Sequence, residues 1–173
     1  MLENALQMLG IVLLIVIVAV GTLQKKRSQE DGPSLLFAGG ELRSGRLYQG
    51  AEPNWDFVAD IDTMELQLYQ PMRSYRVSPL PANGKLYVVA MKMDAVALSF
   101  HPNWALLAAA GDGRALIRIN GIGYPRRLQR VPPGAALNSV ANLVKARYDN
   151  PSPLIDMESG KTWVFELLPP GES

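Results

Sequence analysis

Apolar residues follow two regimes along this chain. From Leu6 to Leu23 the polar exceptions are Gln7, near the start, and Thr22, near the end; the stretch between is almost all Leu, Ile, Val, Ala and Met. A helix of about 18 to 20 such residues, rising about 1.5 Å per residue, matches the roughly 30 Å of bilayer hydrocarbon, so this stretch is expected to span a membrane. After Pro33 the apolar residues come instead in short groups broken by Gly, Pro, Asn and Asp, which predicts short elements and tight turns.

Within that second regime the period is mostly two. Arg46 to Gln49 reads as a first short strand. In Thr63 to Tyr69, Met64, Leu66 and Leu68 alternate with polar residues, the pattern of a half-buried strand. Ser74 to Ser78 is a shorter strand ended by Pro79 and Pro81, and the turn dipeptide Asn83-Gly84 leads into a central strand, Lys85 to Met91. The period then changes. Pro102 suits a first helical turn, and Trp104, Leu107 and Ala108 recur at helical spacing until Gly111. Asp112-Gly113 turns the chain into Ala115 to Ile119, and Asn120-Gly121 predicts a hairpin to Tyr124 to Val131. Beyond Pro132-Pro133-Gly134, the apolar positions Leu137, Val140, Ala141, Val144 and Tyr148 describe an amphipathic helix ending near Asn150-Pro151. Thr162 to Leu168 closes the chain as a strand after a turn at Glu158 to Lys161. Six or seven strands with two helices indicate an α+β domain or a small barrel flanked by helices.

Charge gives the apolar helix a direction. Lys25-Lys26-Arg27 follows it, whereas Glu3 and no Lys or Arg precede it. A cleaved signal peptide, which Ala19 and Gly21 imitate at a cleavage site, needs the opposite arrangement, so an anchor is favoured. Basic residues stay on the cytoplasmic side, which predicts a single-pass protein with its N-terminus outside and its domain in the cytoplasm. The triplet also suits anionic lipid headgroups. Residues 1–27 are thus read as the anchor with its basic flank, 28–34 as a linker of polar residues closed by Gly32-Pro33, and 35–173 as the folded domain, on which Leu35 to Phe37 are expected to dock. The whole chain carries +1, and the part beyond the triplet and Glu3 about −1. That leaves no basic field for nucleic acid.

Composition narrows the chemistry. With no cysteine and one histidine, His101, the chain has no disulfide, thiolate or multi-histidine metal chemistry. Asp56, Asp60, Asp62 and Glu65 form an acidic cluster whose spacing fits a solvated loop better than a metal or acid–base site. His101 beside Pro102 reads as a helix-start residue, since no G-x-S-x-G elbow accompanies it. Gly111-Asp112-Gly113 and Gly121-Ile122-Gly123 are turns, because neither opens a strand-turn-helix unit. Arg73, Arg76 and Lys92 sit at or near strand ends, and Arg126, Arg127 and Arg130 dot the later hairpin. Brought together, a few of these would hold a phosphate; kept apart, they keep strand edges soluble. Trp55, Trp104 and Trp163 are core or ring-stacking candidates.

Asn54-Trp55-Asp56-Phe57, Ile61 to Leu68, Gly84 to Val88, Pro102-Asn103-Trp104, Arg114 to Gly121 with Tyr124, and Trp163 to Leu167 together resemble the pyridoxamine 5′-phosphate oxidase-like split β-barrels. The nearest type is the deazaflavin-dependent nitroreductase branch and its membrane-anchored relatives. The resemblance covers residues 43–168. It implies a mainly β, α+β fold: a small split barrel of about six strands with two flanking helices, here behind one transmembrane helix. It also implies FMN or a deazaflavin as cofactor, Arg73, Arg76, Lys92 and Trp104 as cofactor-binding residues, and a homodimer. Two departures stand near where relatives receive the flavin phosphate: Leu107 replaces an Asn, and Gly111-Asp112-Gly113 replaces an Asp-Pro turn. They favour a non-enzymatic binding or assembly module at the membrane, with a flavin- or deazaflavin-dependent oxidoreductase as the alternative.

Overall fold

In the computed structural model, which describes residues 2–27, 29–33, 38–94 and 103–171, eight strands join one sheet. They are β1 (Arg46–Leu47), β2 (Met64–Tyr69), β3 (Met72–Val77), β4 (Leu80–Ala82), β5 (Lys85–Ala90), β6 (Arg114–Ile119), β7 (Ile122–Arg130) and β8 (Trp163–Leu168). The order is β3-β2-β6-β7-β8-β5-β4, antiparallel throughout, with β1 added parallel to β7. Four α-helices are described, α1 (Leu2–Arg27), α2 (Trp104–Ala110), α3 (Ala135–Tyr148) and α4 (Pro153–Glu158), with a 3₁₀ turn at Trp55–Val58.

Chain continuity makes this sheet a barrel. β3 and β4 are its two ends, yet Val77 and Leu80 are only three residues apart, which a chain spans in about 10 Å at most. The ends must therefore curl toward each other, and the fold is an α+β split barrel. The strand count of eight corrects the expectation of six or seven, and three helices rather than two flank the barrel. β4 is the strand that Pro79 and Pro81 were expected to exclude; as an outermost strand it has a side without a ladder, where proline's missing N–H costs nothing. Pro125, inside β7, is accommodated in a similar way. It falls between the β1 register at Ile122–Gly123 and the β8 register that begins at Arg127, where β7 has a partner only on the β6 side. α4, between the expected helix end near Asn150-Pro151 and the expected turn at Glu158 to Lys161, was not anticipated; at six residues it is too short to show a period, and Pro153 opens it at the first helical position.

Asn-Gly dipeptides act as their chemistry predicts. At both Asn83-Gly84 and Asn120-Gly121 the two residues have positive φ, the I′ geometry whose twist matches a β-hairpin. The β2–β3 hairpin turns instead at Gln70 and Pro71, joined by a cis bond. Inward positions of β2, β6 and β8, with Trp55, Val58 and Tyr124, fill the barrel; Trp55, Leu66, Ile117 and Phe165 are each at most 2% exposed. A second core lies outside it, where the Leu137, Val140, Ala141 and Val144 stripe of α3 packs with Met157 of α4 on Leu80, Tyr87 and Val164.

The other outer face, on β2, β3 and β6, is covered by the segment leading from α1. Gly39 exchanges both backbone hydrogen bonds with Ser74, at 2.9 and 3.0 Å, and the Gln67 side chain accepts from Leu42 N at 2.6 Å. Gly32 and Pro33, the end of the expected linker, are buried here, and Asp31 reaches Arg118. Leu35 to Phe37 lie outside the described residues. In α1 the side chains are described over residues 7–23 and at Lys25 and Lys26, and its large apolar residues there are exposed. Among the described residues no helix is long and apolar enough to cross a membrane, so the spanning reading of Leu6 to Leu23 rests on the sequence alone.

Candidate functional site

The barrel is split where β7 outruns β6. Their last register pair is Arg114 with Arg127, but β7 continues beside β8 to Arg130, opposite Phe165. Gly113 ends the shared stretch: with φ of +72° it turns the chain away, and its carbonyl accepts from Leu128 N at 2.8 Å. The chain that precedes this turn is α2, capped by the Asn103 side chain, which accepts from Ala105 N at 2.9 Å. Ala105 and Ala108 are small and buried, so the helix sinks onto the barrel mouth.

Between α2 and the free length of β7 lies a cavity of about 460 Å³, walled by Ala108 and Ala109 on one side and Arg127, Gln129 and Arg130 on the other, with Phe165 among its lining. Three aromatic rings back it: Trp104 is 5.4 Å from Phe165, and Trp163 is 6.4 Å from Phe165, centroid to centroid. The Arg130 guanidinium stands 4.0 Å over the Trp163 ring. A second cavity, of about 320 Å³, shares Arg130 and lies toward Pro132, Met157 and Trp163. Asp112, at the cavity rim, is bound to Arg114 through both its backbone and its side chain, which holds the carboxyl below its usual range. Among the described residues no carboxylate pairs with Arg127 or Arg130, so the cleft is net positive. Two arginines, Arg127 and Arg130, line it together with the apolar Ala108, Ala109 and Leu128, at the scale of a small-molecule pocket. A phosphate and a planar ring fit that donor set, because guanidinium groups bind phosphate in pairs and aromatic walls stack rings.

The four residues expected to bind a cofactor are not gathered here. Trp104 forms part of the aromatic backing behind the cleft. Lys92, exposed and with φ of +57°, lies two residues beyond the pairing of Ala90 with Trp163, at the same end of β5 and β8. Next to it, Met93 N donates to Lys161 O at 2.8 Å, and Met93 Sδ accepts from Asn103 at 3.4 Å. Arg73 and Arg76 are on β3, opposite Leu68 and Glu65, with β2 and β6 between them and β7. None of the four lines a described cavity.

The three hairpin arginines, alike in sequence, meet different surroundings: the pleat turns Arg127 to the face opposite Arg126 and Arg130, and the latter two differ in their partners. Arg126 turns inward and is 5% exposed. Its Nη1 donates to Glu52 Oε2 at 2.7 Å and its guanidinium lies 4.7 Å over Trp55, while Glu52 Oε1 accepts from Trp55 Nε1 at 2.8 Å. One carboxylate thus joins a buried cation to a buried indole, a structural clamp rather than a ligand site. In the acidic cluster, Glu65 is paired with Arg118 and Asp62 meets Arg147 at 3.4 Å. Among the described residues no three His, Asp or Glu come together to hold a metal. His101 lies outside the described residues.

No family model and no curated protein matches the chain. Among solved structures it is similar to a candidate pyridoxamine 5′-phosphate oxidase from Listeria innocua. That match has 8% identity and a TM-score of 0.47 over 65% of this chain and 87% of the other.

Proposed function

We propose that the chain is a membrane-held split-barrel binding module whose working surface is the α2–β7–β8 cleft, and whose ligand is an anionic compound carrying a flat ring. The observation that carries this reading is the pairing of Arg130 with Trp163 at a cleft that also presents Arg127. The barrel interior supports it from the other side: it is filled by Trp55, Leu66, Ile117 and Phe165, so ligand has to be met at the split. The anchor is part of the proposal, with α1 in the bilayer, the N-terminus outside and the barrel in the cytoplasm, supported by the apolar run Leu6 to Leu23 and the basic triplet after it.

A second reading makes the ligand a flavin and the protein an oxidoreductase. The same two arginines favour it, since they suit the phosphate of FMN or a deazaflavin, and the half-buried Trp163 beside Arg130 is the ring nearest to them. Bound flavin would supply hydride transfer; the chain's part would be to hold the phosphate and shield one ring face.

Titration of the detergent-solubilised full chain with FMN, followed by tryptophan fluorescence and by visible absorbance after desalting, separates these readings. A binding module that takes such ligands shows quenching that Arg130→Glu weakens at least about tenfold, in line with the loss of a charge-assisted phosphate contact. Retained yellow colour that a reductant bleaches and a substrate restores would establish the oxidoreductase. Quenching unaffected by Arg127→Glu and Arg130→Glu would remove the cleft from consideration.

A further inference from the structure

The segment after α1 is fastened to the barrel, and this determines which end of the barrel the helix delivers to its surroundings. Asp31 is four residues past Arg27, a reach of about 14 Å at full extension. Asp31 Oδ1 accepts from Arg43 N at 2.7 Å and from Arg118 Nη1 at 3.0 Å, and the same Arg118 pairs with Glu65 of β2. Arg43 opens the loop that ends in β1, which is held to the β6–β7 turn by Arg46 N to Gly121 O at 3.1 Å and Tyr48 N to Gly123 O at 2.8 Å. On this loop Leu47 is 59% exposed and Tyr48 38%. With Arg46, Gln49 and Ile122 they line a shallow cavity of about 470 Å³, and Tyr48 is braced by Tyr124 at 4.9 Å between ring centroids. Glu41 faces Arg43 at 3.5 Å, whereas no carboxylate among the described residues pairs with Arg46.

Resting on the membrane-anchor reading, we propose that this end of the barrel is a second membrane contact: Leu47 and Tyr48 enter the headgroup layer and Arg46 takes a phospholipid phosphate. Three observations support it together. The short fastened tether keeps the loop near the helix end; an exposed Leu-Tyr pair beside an unpaired Arg has the chemistry of an interfacial anchor; and the loop is stiff, being laddered to β7. The cleft at Arg130 is then held away from the lipid, since Arg130 is eight residue steps beyond Ile122 in β7, about 26 Å along a strand.

The natural absence of cysteine permits a clean test. The full chain is placed in nanodiscs of phosphatidylcholine and phosphatidylglycerol containing a headgroup-nitroxide lipid. A fluorophore is attached at Gln49→Cys in one sample and at Ser159→Cys, an exposed site beyond the Arg130 end of the barrel, in another. The proposal expects strong quenching at 49 and little at 159, with Arg46→Glu/Leu47→Glu cutting the quenching at 49 by about fivefold or more, the scale of one basic contact to anionic lipid. Equal quenching at the two sites in protein that has entered the disc overturns the inference and leaves the anchor intact. So does quenching at 49 that the double variant leaves unchanged. Crosslinking of 49 to a second copy, with no lipid quenching there, assigns the patch to self-association and also overturns it. Protein that fails to enter the disc overturns the anchor reading, and this inference with it.

Discussion

Glu52 and Arg126 are unequal partners, and the inequality is testable. Arg126 is buried against Trp55, whereas the Glu52 side chain is 44% exposed. Removing the carboxylate strands a cation where water cannot reach it; removing the cation leaves a carboxylate that water can solvate. Glu52→Ala is therefore expected to cost about 3 kcal/mol and Arg126→Met about 1 kcal/mol, read as shifts of the urea midpoint of the solubilised chain. Asp31 carries a pH signature. Burial raises its pKa, but hydrogen bonds from the Ser44 hydroxyl, Arg43 N and Arg118 outweigh burial and bring it from 3.8 to about 2. A carboxyl depressed in the fold contributes its stability in full above its unfolded value of 3.8, and that contribution is lost as pH falls toward 2. Between pH 5 and 2 the native protein is expected to lose stability more steeply than Asp31→Asn, whose urea midpoint has lost this component throughout. At this scale the sequence was only partly legible. Arg126, Arg127 and Arg130 read as one set of exposed charges, because what divides Arg126 from Arg130, on the same face of β7, is the distant residues each meets: Glu52 and Trp55 for the first, Trp163 for the last. Arg130 and Trp163 are 33 residues apart, and no local pattern announces their contact.

Elements whose boundaries are written in local chemistry were legible, and those created by tertiary placement were not. The β4–β5 and β6–β7 hairpins follow from Asn-Gly, and α3 from its helical spacing, since in both cases the signal lies within one turn or one stripe. β4 was hidden because its prolines are tolerable only at the outer position the barrel gives it, and α4 because six residues hold less than two turns. The split itself was invisible: it arises from unequal lengths of β6 and β7 across a non-local ladder. The covering segment over β2 and β3 is another tertiary product, and Gly39 is its most constrained point. A Cβ there would strike the Gly32 carbonyl, while the residue keeps both hydrogen bonds to Ser74. Gly39→Ala is expected to cost about 1–3 kcal/mol through the forced backbone shift, and to speed proteolysis between residues 29 and 42 well before the barrel unfolds.

At the scale of the whole molecule, the proposed anchor and the barrel constrain each other through very little chain. Arg27 ends α1 and Asp31 is already on the barrel, so the domain has no long tether with which to reorient. On the anchor reading, the charge triplet Lys25-Lys26-Arg27 would act on more than the direction of the helix: whichever side it holds is the side on which the barrel must fold. Moving the three charges to precede Met8 is expected to invert the orientation, because short basic flanks set topology and Asp and Glu contribute little. In sealed inverted vesicles, protease should digest the native barrel and spare an N-terminal tag, and should do the reverse in the relocated variant. A tag digested along with the barrel in the native protein would place both ends on one face and remove the spanning helix. Protection of the native barrel with digestion of its tag would keep the helix but reverse the assigned side. The inverted variant carries a second consequence: Asp31 and Arg118 still clamp the barrel to its helix, so its split-barrel fold should survive on the new side, with Trp163 fluorescence and resistance to urea unchanged.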